Sequence, residues 1–475
     1  MTLPQILVGG ALAVACGLFL HDRPRPYLLL IASVLAVFWF QPALPLREVD
    51  FWLPAGTVLL SMTAWTLTAP PAVRRNRENW IAGASVLTVI LLLGLTRYLA
   101  FGPLLTASRP PQTISLIEVL GAFALALALL NRFPGRLNRT LWFVASFLIA
   151  AFVVLKAPAL GTEASLLVRQ WTGQPTSRAA ASDLQWLGFS YIAFRMIHTI
   201  RDRQTGRLPP VSLAEYLTYI IFFPSLTAGP IDRIERFVQD LRQPAPLSQD
   251  RWLGAGARLV AGLFKKFVLA DTLALIALSA ANAIQVRTAG WAWLMLYAYA
   301  FEIYLDFSGY TDIAVGLARM LGINLPENFN APYLKANLIQ FWNSWHMTLT
   351  QWFRAYFFNP LTRALRSGRR PLPVGATIFV AQLSTMMLIG LWHGISANFV
   401  IWGLWHGMGL FVNNRWNEWT RLRMSEWAGT PVRRALLSGI GVLLTFHYVT
   451  LGWVFFALPT PQISLVFLRK LTGLP

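Results

Sequence analysis

Four stretches, Trp80–Leu99, Ser115–Leu130, Leu141–Leu155 and Leu436–Leu458, are apolar over about the length that a bilayer needs, some slightly short of it. Only 13% of the 475 residues are charged and 56% are hydrophobic. An ordinary soluble domain carries about 25% charged residues. These windows therefore read as membrane helices, and the expected class is an all-α, polytopic membrane protein. Met1 to Leu20 lacks a basic leader and a small-residue cleavage pattern, so it reads as a first membrane helix. Cys16 is the single cysteine, which excludes an intrachain disulfide and any cysteine-based metal site.

The formal charge of +20 arises from 40 Lys and Arg against 20 Asp and Glu. The basic residues sit in short loops between apolar segments, which is how cytoplasmic loops look. That placement argues for contact with membrane lipid headgroups and against nucleic-acid binding. Arg-bearing loops at Asp22–Arg25, Arg74–Arg77, Arg132–Arg139 and Arg201–Arg207 alternate with less basic ones at Leu46–Asp50, Gly102–Thr113 and Ala157–Asp183. The positive-inside rule places the first set in the cytoplasm and the N-terminus outside. Arg363–Arg370 and Arg415–Arg434 are again basic, so a helix leaving the former near Leu372 brings His393 toward the outer side.

The middle of the chain is less regular. Leu208-Pro209-Pro210, Phe222-Phe223-Pro224 and Ala228-Gly229-Pro230-Ile231-Asp232-Arg233 break apolar sequence. Ile234–Arg258 is charged and amphipathic and reads as interfacial helices plus a loop. Broken helices at membrane depth are tolerated where they are buried in protein or line a cavity. The stretch Ser190–His406 accordingly reads as a core around an aqueous chamber.

An ionisable side chain at membrane depth is a candidate for function. His393 lies in Gly390-Leu391-Trp392-His393-Gly394, near the expected end of a helix that Gly394 breaks. A neutral imidazole there is able to take a proton from a hydroxyl. A structural histidine bonded to a backbone carbonyl fits the same pattern. His346 follows Phe341-Trp342-Asn343-Ser344-Trp345. On one helix, Asn343, His346, Thr350 and Arg354 share a face, which suits either the wall of a watery tunnel or a helix lying at the headgroups. In Asp306-Phe307-Ser308-Gly309-Tyr310-Thr311-Asp312, Gly309 is expected to kink the helix, and Asp306 and Tyr310 share a face. Asp312 is expected to cap a helix starting near Ile313, and Asp306 is open between that role and orienting a histidine. His406 and His447 are weaker candidates, and His198 reads as interfacial. The sequence holds no metal-spaced His/Asp/Glu cluster, no phosphate-cradling Gly-rich loop and no nucleophilic serine elbow, so no metal is expected.

The order of these segments carries a resemblance. Asp306–Asp312, Leu325-Pro326-Glu327-Asn328-Phe329-Asn330-Ala331-Pro332-Tyr333, Phe341–His346 and Gly390–Gly394 resemble the membrane-bound O-acyltransferase (MBOAT) family. Ala228–Arg233 and Phe446–Phe456 fit the same pattern, and the branch it looks closest to holds alginate O-acetylation proteins and teichoic-acid D-alanyl transferases. The resemblance implies an all-α fold of roughly 11–14 membrane helices, with broken and interfacial helices around a central funnel. It implies N-terminal membrane helices over residues 1–160, a catalytic core over 185–457 and a C-terminal segment over 458–475. His393 matches the family's catalytic histidine and His346 its other characteristic histidine. Trp392, Gly394, Asn343, Trp345, Arg354, Asp306 and Tyr310 are the expected supporting or tunnel-lining residues. The family's usual Arg-Asp is absent, because Arg354 is followed by Ala355-Tyr356, and the first 110 residues show little of the family's opening pattern.

The activity implied is acyl transfer, with acetyl the leading acyl group, from a thioester to hydroxyls of a cell-envelope glycan. The donor is acetyl-CoA or an acyl-carrier thioester, and no bound cofactor is expected. The implied setting is the bacterial cytoplasmic membrane, with an acyl carrier protein or a periplasmic or secreted acyltransferase as partner. D-alanyl transfer to teichoic acid is the alternative within the family. A histidine-lined transporter or channel is the alternative outside it, but paired carboxylates and inverted repeats, which favour it, are missing.

Overall fold

The computed structural model describes residues 2–19, 25–99, 105–132, 137–246, 248–368, 370–421, 423, 427 and 429–473. Of the segments discussed above, the Cys16 side chain, residues 22–24, 102–104, 133–136 and 369, and parts of 415–434 lie outside the described residues. Among the described residues every regular element is a helix. Among the described residues four helices are long and apolar enough to cross a bilayer alone: Arg77–Tyr98, Thr113–Leu130, Val374–His393 and Pro431–Ala457. Thr140–Lys156 and Pro158–Trp171, bent by 98°, pass the same test as a pair. The protein is thus an all-α, multi-pass membrane protein. The larger helix count expected above rests on the resemblance and not on length and composition.

The chain divides into two compact units, Met1–Leu259 with Ile313–Pro326, and Val260–Asp312 with Glu327–Pro475. In the first, the helices Arg25–Phe40, Val49–Thr68 and Arg77–Leu95 pack against Leu213–Ile220. That short helix starts on a capping box, in which Glu215 N–H donates to Ser212 Oγ at 3.2 Å and Ser212 N–H to Glu215 Oε2 at 2.7 Å. Its other end meets the predicted break at Phe222-Phe223-Pro224, where terminal carbonyls need outside donors. Arg195, 1% exposed, supplies them: its guanidinium donates to Ile220 O at 2.8 Å, Ser225 O at 3.0 Å and Ser225 Oγ at 2.7 Å. The amphipathic stretch resolves into the helices Ile234–Arg242 and Gln249–Phe264.

The second unit is built on a hairpin of Val374–His393 and Ala397–Thr420, with Pro431–Ala457 against it. Ser396 caps the return helix, its Oγ accepting from Phe399 N–H at 3.5 Å. Gly403 and Gly407, four residues apart, let the two backbones touch. A Cβ at Gly403 would lie 2.6 Å from Met386 O and 2.8 Å from Met387 Cα, and one at Gly407 3.0 Å from Leu383 Cα. Small residues at this spacing permit close helix contact in a membrane, where dispersion replaces the hydrophobic drive.

One local expectation is overturned here. The helix Ala289–Met320 runs unbroken through Gly309 and Asp312, so Asp312 does not cap a helix starting near Ile313. Gly309 admits a neighbouring helix, since a Cβ there would meet Gly262 O at 2.8 Å and Lys266 N at 2.9 Å. Asp312 takes the Lys265 ammonium at 2.7 Å. Continuous helical pairing plus the Lys265 ammonium outweighed the local capping preference.

Candidate active site

His393 is the last residue of Val374–His393, at the turn of the hairpin. The basic stretch Arg363–Arg370 precedes this hairpin and Arg415–Arg434 follows it. About 20 residues at 1.5 Å per residue put the turn roughly 30 Å from those basic ends. The ring is partly exposed. Its walls are aromatic: Trp392 at 4.6 Å, Phe456 at 4.7 Å, Trp402 at 5.6 Å and Phe399 at 6.0 Å between centroids. Gly394 is needed beside it, because a Cβ would lie 2.6 Å from Phe399 Cε2.

His346 reaches the same aromatic cluster from another element. It joins the short helices Leu338–Trp342 and Met347–Phe353 in a left-handed conformation, φ 42°, which histidine accepts more readily than branched residues do. Asn328 fixes the second helix, its Oδ1 accepting from Thr348 Oγ1 at 2.6 Å and its backbone carbonyl from Met347 N–H at 2.9 Å. The His346 ring is buried, edge-on to Phe307 at 4.7 Å and tilted to Trp392 at 6.0 Å. Neither ring nitrogen has a hydrogen-bond partner among the described residues. Trp392 is thus in ring contact with both His346 and His393.

The expected polar stripe is divided by that left-handed residue. Asn343, Thr350 and Arg354 do line one cavity of about 220 Å³, together with Trp342, Gln382 and Asn414. Arg354 donates to Asn343 Oδ1 at 2.7 Å. His346 is not among the cavity's lining residues, because the turn between the helices rotates it away from them. A second cavity of about 640 Å³ shares Phe358 with the first and carries Thr362, Arg363 and Arg366 at the basic end of the hairpin.

Trp345 is buried in packing, stacked on Phe341 at 5.7 Å and against Trp453 at 5.1 Å, and does not line this cavity. Asp306 is ion-paired with Lys266, and Tyr310 is buried. An ammonium partner, invisible to local spacing, gives Asp306 a charge to balance. His447 meets Tyr297 Oη at 3.0 Å and Leu443 O at 2.8 Å.

Two further histidines are buried in the protein. His198 is 1% exposed, with Nδ1 3.1 Å from Tyr219 Oη and Nε2 2.8 Å from Asp202. With Glu235 it forms the one group of metal-ligand type among the described residues, its atoms within 4.8 Å of one another. Asp202 also takes Arg207 at 3.2 Å, so the group reads as an ion-pair network closed by its own cations. The i, i+4 spacing of His198 and Asp202 was the signal available in the sequence. His406 is completely buried, with Trp402 at 4.9 Å and Trp342 at 5.1 Å. Trp405-His406-Gly407 repeats the Trp392-His393-Gly394 triplet, and that repetition was legible.

Comparison with known proteins places this arrangement. Residues 140–456 match the model of the membrane-bound O-acyltransferase family. A teichoic acid D-alanyltransferase of Streptococcus thermophilus is 32% identical over 305 residues, 60% of this chain and 71% of that protein. A probable alginate O-acetylase of Pseudomonas aeruginosa is 34% identical over 281 residues, 58% of this chain and 50% of that protein. A peptidoglycan O-acetyltransferase of Helicobacter pylori is 34% identical over 263 residues, 55% of this chain and 47% of that protein. The matches therefore span about half the length of the latter two.

Proposed function

Because this chain belongs to the membrane-bound O-acyltransferase family, and is an O-acyltransferase on that ground, we propose that it transfers an acetyl group from a thioester to hydroxyls of a cell-envelope glycan, with His393 as general base. The observation that carries the reading is the position of His393, a partly exposed imidazole at the turn of a hairpin whose other end is basic. The names of the relatives, which concern teichoic acid, alginate and peptidoglycan, support an envelope polymer as acceptor. The bacterial cytoplasmic membrane is then the setting, with the donor arriving from the cytoplasm and the acceptor from outside.

In this mechanism His393 takes the acceptor's hydroxyl proton as its oxygen attacks the thioester carbonyl. The tetrahedral oxyanion collapses, the C–S bond breaks, and the thiolate leaves with the proton returned by His393. Developing negative charge on the oxyanion calls for N–H donors fixed in advance. His346, in contact with Trp392 from the other side, shapes the same pocket. The open cavity of about 640 Å³ that Arg363 and Arg366 line suits a phosphate-bearing thioester, either acetyl-CoA or one carried on a protein, and acetyl-CoA is the first donor to test. A periplasmic or secreted partner receiving the acyl group is compatible with this relay.

Purified protein in nanodiscs, given labelled acetyl-CoA, acyl-carrier thioester or D-alanyl-carrier thioester with glycan or teichoic-acid acceptors, tests the reading by which label moves. General-base assistance is worth about 10²–10⁴-fold, so folded His393→Ala should lose turnover on that scale. Parental turnover in that variant ends the proposal.

A further inference from the structure

The mechanism above leaves one buried titratable side chain unused. His406 has both ring nitrogens unengaged by any described protein group, although it is completely buried. Leaving a buried donor or acceptor unsatisfied costs about 1–3 kcal/mol, so such a group calls for an explanation. Two of its ring neighbours share the property: Trp342 Nε1 and Trp402 Nε1 are buried and have no hydrogen-bond partner among the described residues. The three rings lie 4.9–5.7 Å apart between centroids.

Their chemistry is complementary through a third party. An indole N–H only donates, whereas a neutral imidazole offers one donor and one acceptor. A water accepts from the indoles and donates to the imidazole, and a buried water needs two to four such partners. Trp342 lines the 220 Å³ cavity, which gives that water a route in. Gly452 supplies the room on the opposite side, since a Cβ there would lie 2.8 Å from His406 Nε2. Trp402, 1% exposed, has ring contacts with both His406 and His393.

We propose that His406 is a positioning residue for the transfer reaction: with the indole N–H groups of Trp342 and Trp402 it holds an ordered water that locks Trp402, the plate against which His393 rests. The inference rests on His393 being the base. His406 touches no reacting atom; it acts by fixing the ring that sets the direction of the His393 lone pair. Small misplacements of a catalytic group cost about 10²-fold in rate.

The test compares His406→Phe, which keeps an aromatic volume but offers no hydrogen bonds, with His406→Gln, which restores a donor and an acceptor. Both are assayed with Trp342→Phe and the His393→Ala reference, after size-exclusion and thermal melts confirm folding. His406→Phe should lower kcat about 10- to 100-fold while KM stays within about twofold, the scale set by misplacement. His406→Gln should recover most of that loss, and Trp342→Phe should lose kcat by a smaller factor at unchanged KM. Parental kcat in folded His406→Phe overturns the inference, as does an equal loss in the Phe and Gln variants, which marks packing alone. A dead His393→Ala beside a normal His406→Phe sinks only this inference. An active His393→Ala sinks the reading beneath it.

Discussion

Three ion pairs of the first compact unit and two histidines of the second treat polar side chains in opposite ways. In the first unit Arg169 closes on Asp183 at 2.8 Å, Arg236 on Asp232 at 2.7 Å and Arg242 on Glu215 at 2.6 Å. In the second, two buried imidazoles, His346 and His406, stand in an aromatic cluster with no hydrogen-bond partner for either nitrogen among the described residues. A closed pair holds its shape and has nothing left to offer a ligand. An open imidazole costs stability and keeps donors and acceptors in reserve. The ion pairs therefore read as scaffold, and the open imidazoles as groups kept available at a cost in stability.

The contrast breaks most sharply at His346. His346→Asn, which suits the left-handed backbone, should lower kcat by about 10²–10⁴-fold if the imidazole takes part in proton transfer. Its melting temperature should stay near the parent's, because His346 has no hydrogen bond to lose among the described residues. A raised KM with unchanged kcat would recast His346 as a binding residue only. The first unit should respond in reverse. Asp183→Asn leaves the buried Arg169 guanidinium without its counter-charge, and removing one partner of such a pair costs about 3–5 kcal/mol. Chemical denaturation in mild detergent reads this out, and a loss below about 1 kcal/mol, the scale of an exposed pair, would remove the scaffold role.

Gly403→Val sharpens the comparison inside the second unit. Overpacking of this kind costs about 1–3 kcal/mol, and the hairpin should splay near Met386, seen as faster proteolysis between the two helices. Unchanged protection would mean that the backbone contact at Gly403 is not limiting. The smallest effect is expected at Glu215. Burial raises its carboxyl, but the hydrogen bond and charge of Arg242 outweigh this and hold it below its ordinary value of 4.5. A depressed folded value adds stability above the unfolded one, and that stability fades as pH falls from about 4.5 through the folded value. Glu215→Gln should lower the melting temperature slightly at neutral pH and flatten its fall in that acidic window, so that the two proteins converge below the folded value. An identical acid limb in both proteins would assign it elsewhere.

What was legible in the sequence follows from range. The helix end at His393 was readable because Gly394 and a run of apolar residues are local signals. The stripe of Asn343, Thr350 and Arg354 was readable as a period, and the three do share a cavity. His346 left that stripe through a positive φ, which no periodicity encodes. Asp312 was misjudged as a cap, and Asp306 stayed open, because their partners, Lys265 and Lys266, lie some forty residues away and come close only through helix packing.

The chain by itself determined that it folds as membrane helices, since apolar windows of bilayer length have no other stable solution, and it set the order of motifs that marks the family. Only the tertiary structure decided which histidines are open and which are engaged. Hydrogen-bond satisfaction depends on groups that distant helices bring or withhold, and glycines such as Gly403 and Gly452 set how near those helices come.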